Sequence, residues 1–300
     1  MQSRSPPTAP ASFEACFRTH LAQYVEYSLD ANSRRLGTMI FGEEPLWNSL
    51  ARFVGPLGFA GEWLAAARRF AAAVRPVNYL FKVDWQDWQV LSLSLYCRFM
   101  DNLSAEDLSD ALARAAPFSW EGPAPQEIGR VLGAARPHGV GLRVQADGAY
   151  HAAVYNRVSM PSMAFRLKSL PELIELCRMP ASLEQEISTD MALVYRSGPV
   201  GVVGVDGGTE NRAGAIKLDA DGVPMSWAFR FISERGATAH RLTQLSDMAV
   251  RLGLDRLGYL GLKYAADGFE SWKFYIARQF RLMRPALAPH LDVNKWALPQ

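Results

Sequence analysis

Ser271-Trp272-Lys273-Phe274-Tyr275-Ile276-Ala277-Arg278 changes character at every step. In an extended chain successive side chains leave opposite faces, so Ser271, Lys273, Tyr275 and Ala277 share one face of a strand. Trp272, Phe274 and Ile276 share the other, which has to be covered. The same order recurs in Leu91-Ser92-Leu93-Ser94-Leu95-Tyr96-Cys97-Arg98-Phe99. There Ser92, Ser94, Tyr96 and Arg98 stand against Leu91, Leu93, Leu95, Cys97 and Phe99. A face of cations, phenols and small residues with few carboxylates reads as a site for a polyanion.

Working outward from these strands, Tyr79–Trp85 and Trp88–Phe99 form a hairpin around Gln86 and Asp87. Ser104-Ala105-Glu106-Asp107 is a helix-capping signal, and Leu108, Leu112 and Ala115 carry a helix toward Pro117. A short helix follows from Pro125 to Ala135. The grammar repeats at Val140–Gln145 and His151–Val158, joined through Asp147-Gly148, with a helix over Leu170–Cys177. A third unit joins Ala215–Leu218 to a strand at Met225–Ile232, followed by a helix at Ala239–Leu252. A fourth joins Leu257–Ala265 to Ser271–Phe280. Met191–Tyr195 and Val200–Val205 are further strand candidates. Before Pro76 the spacing of Phe13, Phe17, Leu21, Tyr24 and Leu29 predicts helix, as do Leu46–Val54 and Gly61–Val74.

The chain has 300 residues, 49% of them hydrophobic, enough for a sizeable core. Residues 1–11, with Pro6, Pro7 and Pro10, predict a flexible tail with no signal-peptide pattern, and residues 12–300 a single domain. No apolar run approaches the roughly 20 residues of a membrane span, so a cytoplasmic protein without membrane contact is expected. Cys16, Cys97 and Cys177 form no CxxC pair and predict buried thiols. Formal net charge is +2, from 32 Lys and Arg against 30 Asp and Glu, which speaks against nucleic acid as a partner. Any positive site has to be local.

Hairpins separated by helices stack into one antiparallel sheet with the helices on one face, either open or closed into a barrel. About ten strands would enclose a cavity wider than an eight-stranded barrel and remove the exposed edges. The polar face is expected to carry Lys82, Tyr96, Arg98, Arg143, Tyr155, Arg157, Lys217, Arg230, Lys273 and Tyr275 against the acids Asp84 and Asp219. So many cations in a low-dielectric lumen call for a bound anion such as phosphate or diphosphate.

At these residues the chain resembles the ABBA-type aromatic prenyltransferases. Val83-Asp84-Trp85 with Ser94-Leu95-Tyr96-Cys97-Arg98 looks like the strand pair of bacterial members acting on phenolic acceptors. Ala215-Ile216-Lys217-Leu218-Asp219 with Phe229-Arg230-Phe231 is similar to another unit. Trp272-Lys273-Phe274-Tyr275 looks like the Lys-x-Tyr strand of the indole-prenylating branch. The resemblance spans about residues 78–280 and departs from the family where residues 12–75 read as helix in place of a first hairpin.

The resemblance implies an α+β fold: an antiparallel ten-stranded β-barrel with an outer ring of α-helices, built of αββα repeats and called the PT barrel. It implies transfer of an isoprenyl group from an allylic diphosphate, dimethylallyl or geranyl, to a small aromatic or peptide acceptor in secondary metabolism. Lys82, Arg98, Arg143, Arg157, Lys217, Arg230 and Lys273 would then hold the diphosphate, Arg by paired contacts and Lys as a compact charge. Tyr96, Tyr155, Tyr264 and Tyr275 would shield the allyl cation. Asp84 or Glu270 would remove the acceptor's proton. No cofactor is implied beyond Mg²⁺ carried by the diphosphate, since no DDxxD or NDxxD box is present.

His20, His138, His151, His240 and His290 lack metal-ligand spacing, and Gly198–Gly208 lacks a nucleotide-loop pattern. Gly-x-Ser-x-Gly is absent too. The alternative reading is a non-catalytic protein that binds an amphipathic anionic small molecule on an open α+β sheet.

Overall fold

The structure is a computed structural model that describes residues 22–30, 34–40, 44–86, 89–99, 103–118, 120–195, 199–207, 214–252 and 254–278. The expected tail at 1–11, the expected helix over 12–21, the expected turn residue Asp87, the expected strand residue Trp88, and Cys16, His20 and His290 lie outside them.

The sheet is antiparallel throughout and curled, with helices on one face. Its strands are β1 (Ala22–Asp30), β2 (Arg34–Ile40), β3 (Asn78–Gln86), β4 (Gln89–Arg98) and β5 (Gly139–Gln145). They continue with β6 (Tyr150–Pro161), β7 (Pro199–Asp206), β8 (Ala215–Asp221), β9 (Tyr259–Ala265) and β10 (Gly268–Arg278). Each strand is hydrogen-bonded to its neighbour in sequence, and β1 also pairs with β10, so the strand order returns on itself. All the hairpin turns therefore lie at one end, and the connections to helices at the other.

The helices are α1 (Glu44–Val54), α2 (Gly61–Val74), α3 (Ala105–Ala113), α4 (Pro125–Leu132) and α5 (Ser162–Ala164). A π-helical turn, Phe165–Ser169, leads from α5 into α6 (Leu170–Leu176), followed by α7 (Leu183–Val194), α8 (Met225–Glu234) and α9 (Ala239–Leu252). The main core lies between helices and sheet. Phe81, Leu93, Leu95, Val140, Leu142, Val154, Val203, Leu218, Leu262 and Trp272 face outward from the strands into it, against Trp63, Phe70, Leu108, Ile128, Leu173, Ile187 and Phe231 of the helices. Strand alternation thus sends the apolar face to the helices and leaves the polar face to the interior of the curl.

Three expectations are corrected. Residues 22–30 form a strand, not helix, and pair with Arg34–Ile40, so a first hairpin is present where the sequence reading had none. Tyr24, Glu26 and Ser28 alternate with Val25, Tyr27 and Leu29, and the β-branched and aromatic residues suit that extended segment. Met191–Tyr195 is not a strand: Leu183, Ile187, Met191 and Val194 recur at helical spacing and are all buried on α7. Met225–Ile232 is likewise helical, with Pro224 at the N-cap and Met225, Ala228, Phe231 and Ile232 on its buried face. The hairpin partner of β8 is β7.

Candidate functional site

The interior face is lined by alternate residues of successive strands. On β3 these are Asn78, Leu80, Lys82 and Asp84, all buried. On β4 they are Ser92, Ser94, Tyr96 and Arg98, the face expected from the sequence, and on β5 Gly139, Gly141, Arg143 and Gln145. Cross-strand register carries the set on to His151, Tyr155 and Arg157 of β6, Gly204 and Asp206 of β7, and Lys217, Asp219 and Asp221 of β8. It ends with Tyr259, Gly261 and Lys263 of β9 opposite Tyr275, Lys273 and Ser271 of β10.

The middle of this face is aromatic. Tyr96 and Tyr155 have ring centroids 5.7 Å apart, and Tyr259 meets Tyr275 edge-on at 6.3 Å. The Nζ of Lys82 lies 5.1 Å from the centroid of Tyr96 and 4.6 Å from that of Tyr275, so one cation sits over two ring faces. The Lys217 Nζ lies over Tyr155 at 5.6 Å and donates to its hydroxyl at 3.3 Å. Burial first, then the neighbouring Tyr96 and Asp206, pushes the Tyr155 phenol well above its ordinary range, so it stays neutral.

Glycines make room for these rings. A Cβ at Gly141 would stand 2.9 Å from Tyr96 Cε1 and 3.3 Å from Tyr155 Cε2, and one at Gly204 only 2.6 Å from Tyr155 Cε1. At Gly261 it would stand 2.8 Å from Tyr275 Cε2. Each ring lies on bare backbone, which holds it along the wall instead of across the interior.

Toward the hairpin end the face is ionic. Asp84 accepts hydrogen bonds from Ser92 Oγ at 2.6 Å and Arg143 Nη2 at 2.7 Å, and Arg143 Nε donates to Ser92 Oγ at 3.0 Å. Lys217 and Lys263 are directly opposite one another across β8 and β9. Asp206 joins them, with Oδ1 2.7 Å from Lys217 Nζ and Oδ2 3.3 Å from Lys263 Nζ. Lys263 also donates to Glu270 at 2.8 Å. Burial opposes the charge on Asp206, but the two lysines outweigh it and hold the carboxyl well below its usual range. His151 hydrogen-bonds Gln145 through Nε2. Its pKa is lowered, by burial above all and then by Arg143, Lys263 and Lys217, with Asp206 acting the other way.

At the opposite end Arg98 Nη2 lies 3.2 Å from His138 Nε2. Arg157 is exposed and acts electrostatically on Asp221, whose pKa burial raises and Arg157 lowers.

Of the residues singled out in the sequence, Lys82, Asp84, Tyr96, Arg98, Arg143, Tyr155, Arg157, Lys217, Lys273 and Tyr275 share the interior face. Two do not. Arg230 lies on α8, exposed, and pairs with Glu234 one helical turn away at 2.9 Å. Tyr264 points out of the sheet: it is fully buried against α7 and donates to Asp190 Oδ2 at 2.8 Å. Asp190 also binds Arg235, whose other nitrogen donates to Glu186 at 3.0 Å. Glu270 lies at a register shift of β10, on the rim and tied to Lys263. The sequence reading missed Asp206, Lys263, Tyr259 and His151, although the period-2 rule places each on the polar face. With Asp206, Asp221 and Glu270 included, the face carries more carboxylates than expected, and its cations are partly neutralised from within.

Among the described residues no three His, Cys, Asp or Glu side chains converge to hold a metal ion, and no helix is long and apolar enough to cross a membrane.

No protein-family profile matches the sequence, and no curated protein sequence does. Solved structures do match. PriB, in a binary complex with product diphosphate, superposes with a TM-score of 0.59 at 14% identity, over 91% of this chain and 83% of that one. AnaPT from Neosartorya fischeri gives 0.57 at 11% identity, over 85% and 77%. The 5-dimethylallyltryptophan synthase of Streptomyces coelicolor gives 0.55 at 12% identity, over 87% and 82%. These proteins are ABBA aromatic prenyltransferases, and this chain has their fold.

Proposed function

We propose that this chain is an aromatic prenyltransferase whose single domain, residues 12–300, is a ten-stranded PT barrel working in the cytoplasm. It moves an isoprenyl group from dimethylallyl or geranyl diphosphate to a small aromatic or peptide acceptor in secondary metabolism. The observation that carries this reading is Lys82 Nζ over the rings of Tyr96 and Tyr275. Two ring faces that hold an ammonium ion are placed to hold an allyl cation in the same way, each by about 0.5–2 kcal/mol. The fold shared with PriB, described with product diphosphate, and with the S. coelicolor enzyme, described in complex with DMASPP and Trp, supports the same pair of ligands.

In this reading Lys217, its cross-strand neighbour Lys263 and Arg143, toward the hairpin end, surround the diphosphate together with Lys273, and Lys82 lies beside it, while Arg98 and Arg157 lie at the opposite end of the interior. The C–O bond to the allyl carbon breaks and its electron pair leaves on the diphosphate, whose growing charge the cations stabilise. Tyr96, Tyr155 and Tyr275, with Tyr259 in place of Tyr264, screen the cation from water. An aromatic carbon of the acceptor forms the new C–C bond, and its proton passes to a carboxylate. Asp84, inside the face, is better placed for this than Glu270 on the rim. No cofactor is required, and Mg²⁺ would come only as counter-ion of the diphosphate.

Calorimetric titration with the thiolo analogue of dimethylallyl diphosphate tests this. Micromolar binding, lost in Lys273→Ala and weakened in Tyr96→Leu, is expected, together with diphosphate release from dimethylallyl diphosphate when aromatic acceptors are supplied. Absence of binding overturns the reading. Binding without any such release favours the non-catalytic carrier.

A further inference from the structure

Lys217 and Lys263 face each other across adjacent strands, an arrangement in which like charges repel. Asp206 resolves it by placing one oxygen on each, 2.7 and 3.3 Å away. All three side chains are at least four-fifths buried, at 19%, 17% and 18% exposure for Lys217, Lys263 and Asp206. The lysines' ammonium groups are thus occupied by a carboxylate on the face where the proposed donor binds, and Lys217 also reaches the Tyr155 hydroxyl.

We infer that Asp206 is an internal counter-anion that competes with diphosphate for Lys217 and Lys263, weakening donor binding and taking the lysines back as product diphosphate leaves. This rests on the prenyl-transfer reading. Of the three N–H donors on each ammonium, Asp206 takes one on both lysines, Tyr155 a second on Lys217 and Glu270 a second on Lys263, so a diphosphate engages both lysines fully only by displacing Asp206, and two anions brought together in a poorly screened interior repel. The retained ionisation of Asp206 keeps it a competitor throughout the neutral range. Asp206 is a positioning residue: it acts on the donor through the lysines. An anchoring role alone, in which Asp206 only props the lysines toward the donor, predicts the opposite effect on replacement.

The test measures the affinity of inorganic diphosphate and of the thiolo analogue for wild type, Asp206→Asn and Asp206→Glu, with steady-state inhibition by diphosphate alongside. Removing one negative charge beside the anion is expected to tighten diphosphate binding about tenfold in Asp206→Asn. Product inhibition strengthens in parallel, and kcat and the donor KM fall together as release of diphosphate slows. Asp206→Glu, which restores the charge, returns toward wild type. Weaker or unchanged diphosphate binding in a folded Asp206→Asn overturns the inference while leaving the prenyl-transfer reading intact. If Asp206→Asn fails to fold, Asp206→Ser is read by the same criterion. If neither wild type nor variant binds diphosphate or the analogue, the underlying reading has failed instead.

Discussion

Tyr259 and Tyr264 lie on the same strand and face opposite ways. Tyr264 OH donates to buried Asp190, whose other oxygen binds Arg235, so this phenol fastens β9 to the helices. Burial first, then Asp190, raises its pKa well above the ordinary value, and it remains a donor at any physiological pH. Tyr264→Phe leaves Asp190 one donor short and is expected to cost about 1–3 kcal/mol in urea unfolding. Affinity for the thiolo analogue should not change; loss of analogue binding with stability intact would return Tyr264 to the cation shield. The distinction was legible in Tyr259-Leu260-Gly261-Leu262-Lys263-Tyr264, where strict alternation puts Tyr264 with the leucines. Residue type overrode parity in the sequence reading. The same rule reaches Lys263, inside that run, and Asp206, one residue beyond the Val200–Val205 stretch read as strand.

Helix α8 shows where alternation misleads. Trp227-Ala228-Phe229-Arg230-Phe231 places an aromatic residue at every second position as a strand would, yet Met225, Ala228, Phe231 and Ile232 are buried at helical spacing after Pro224. The helix packs one stripe on the core and leaves Arg230 outside with Glu234. Arg230→Ala is therefore expected to leave both diphosphate and analogue binding within error of wild type, as calorimetry can check. In β1 the reverse occurred. Tyr24 falls at helical spacing from Phe17 and Leu21, while the strand is fixed by long-range pairing to β10 that no local pattern announces. The hairpins at β3–β4, β5–β6 and β9–β10 were legible because turn residues and alternation agree there. The segments that needed a distant partner, or carried both periods at once, were not.

For the molecule as a whole, the interior charges tie folding to pH in two separate windows. His151 is lowered from its ordinary 6.5 by burial, and Arg143, Lys217 and Lys263 face it with Asp206 opposing. Below about pH 6.5 the unfolded chain takes up a proton that the folded chain resists, so stability falls as pH drops through that region. Asp206 acts lower down. Its depressed pKa gives stability that is present above the ordinary carboxylate value and lost only as pH falls toward the folded one. Urea unfolding at pH 7.5 and 5.5 should show a loss of stability that is smaller in His151→Asn than in wild type. An undiminished loss in that variant would assign the effect to other groups.

Where aromatic rings lie on Gly141, Gly204 and Gly261, the bore of the interior is set by atoms missing from its wall. A methyl group at Gly204 would meet Tyr155 Cε1 at 2.6 Å and swing the ring inward, whereas no charged group on the wall need change its identity. Single-codon changes at these positions can therefore rescale the space offered to a guest while the lysines and arginines that fix its anionic end are retained. Size and charge selectivity are in this way inherited separately, one written in backbone hydrogens and the other in side-chain nitrogens.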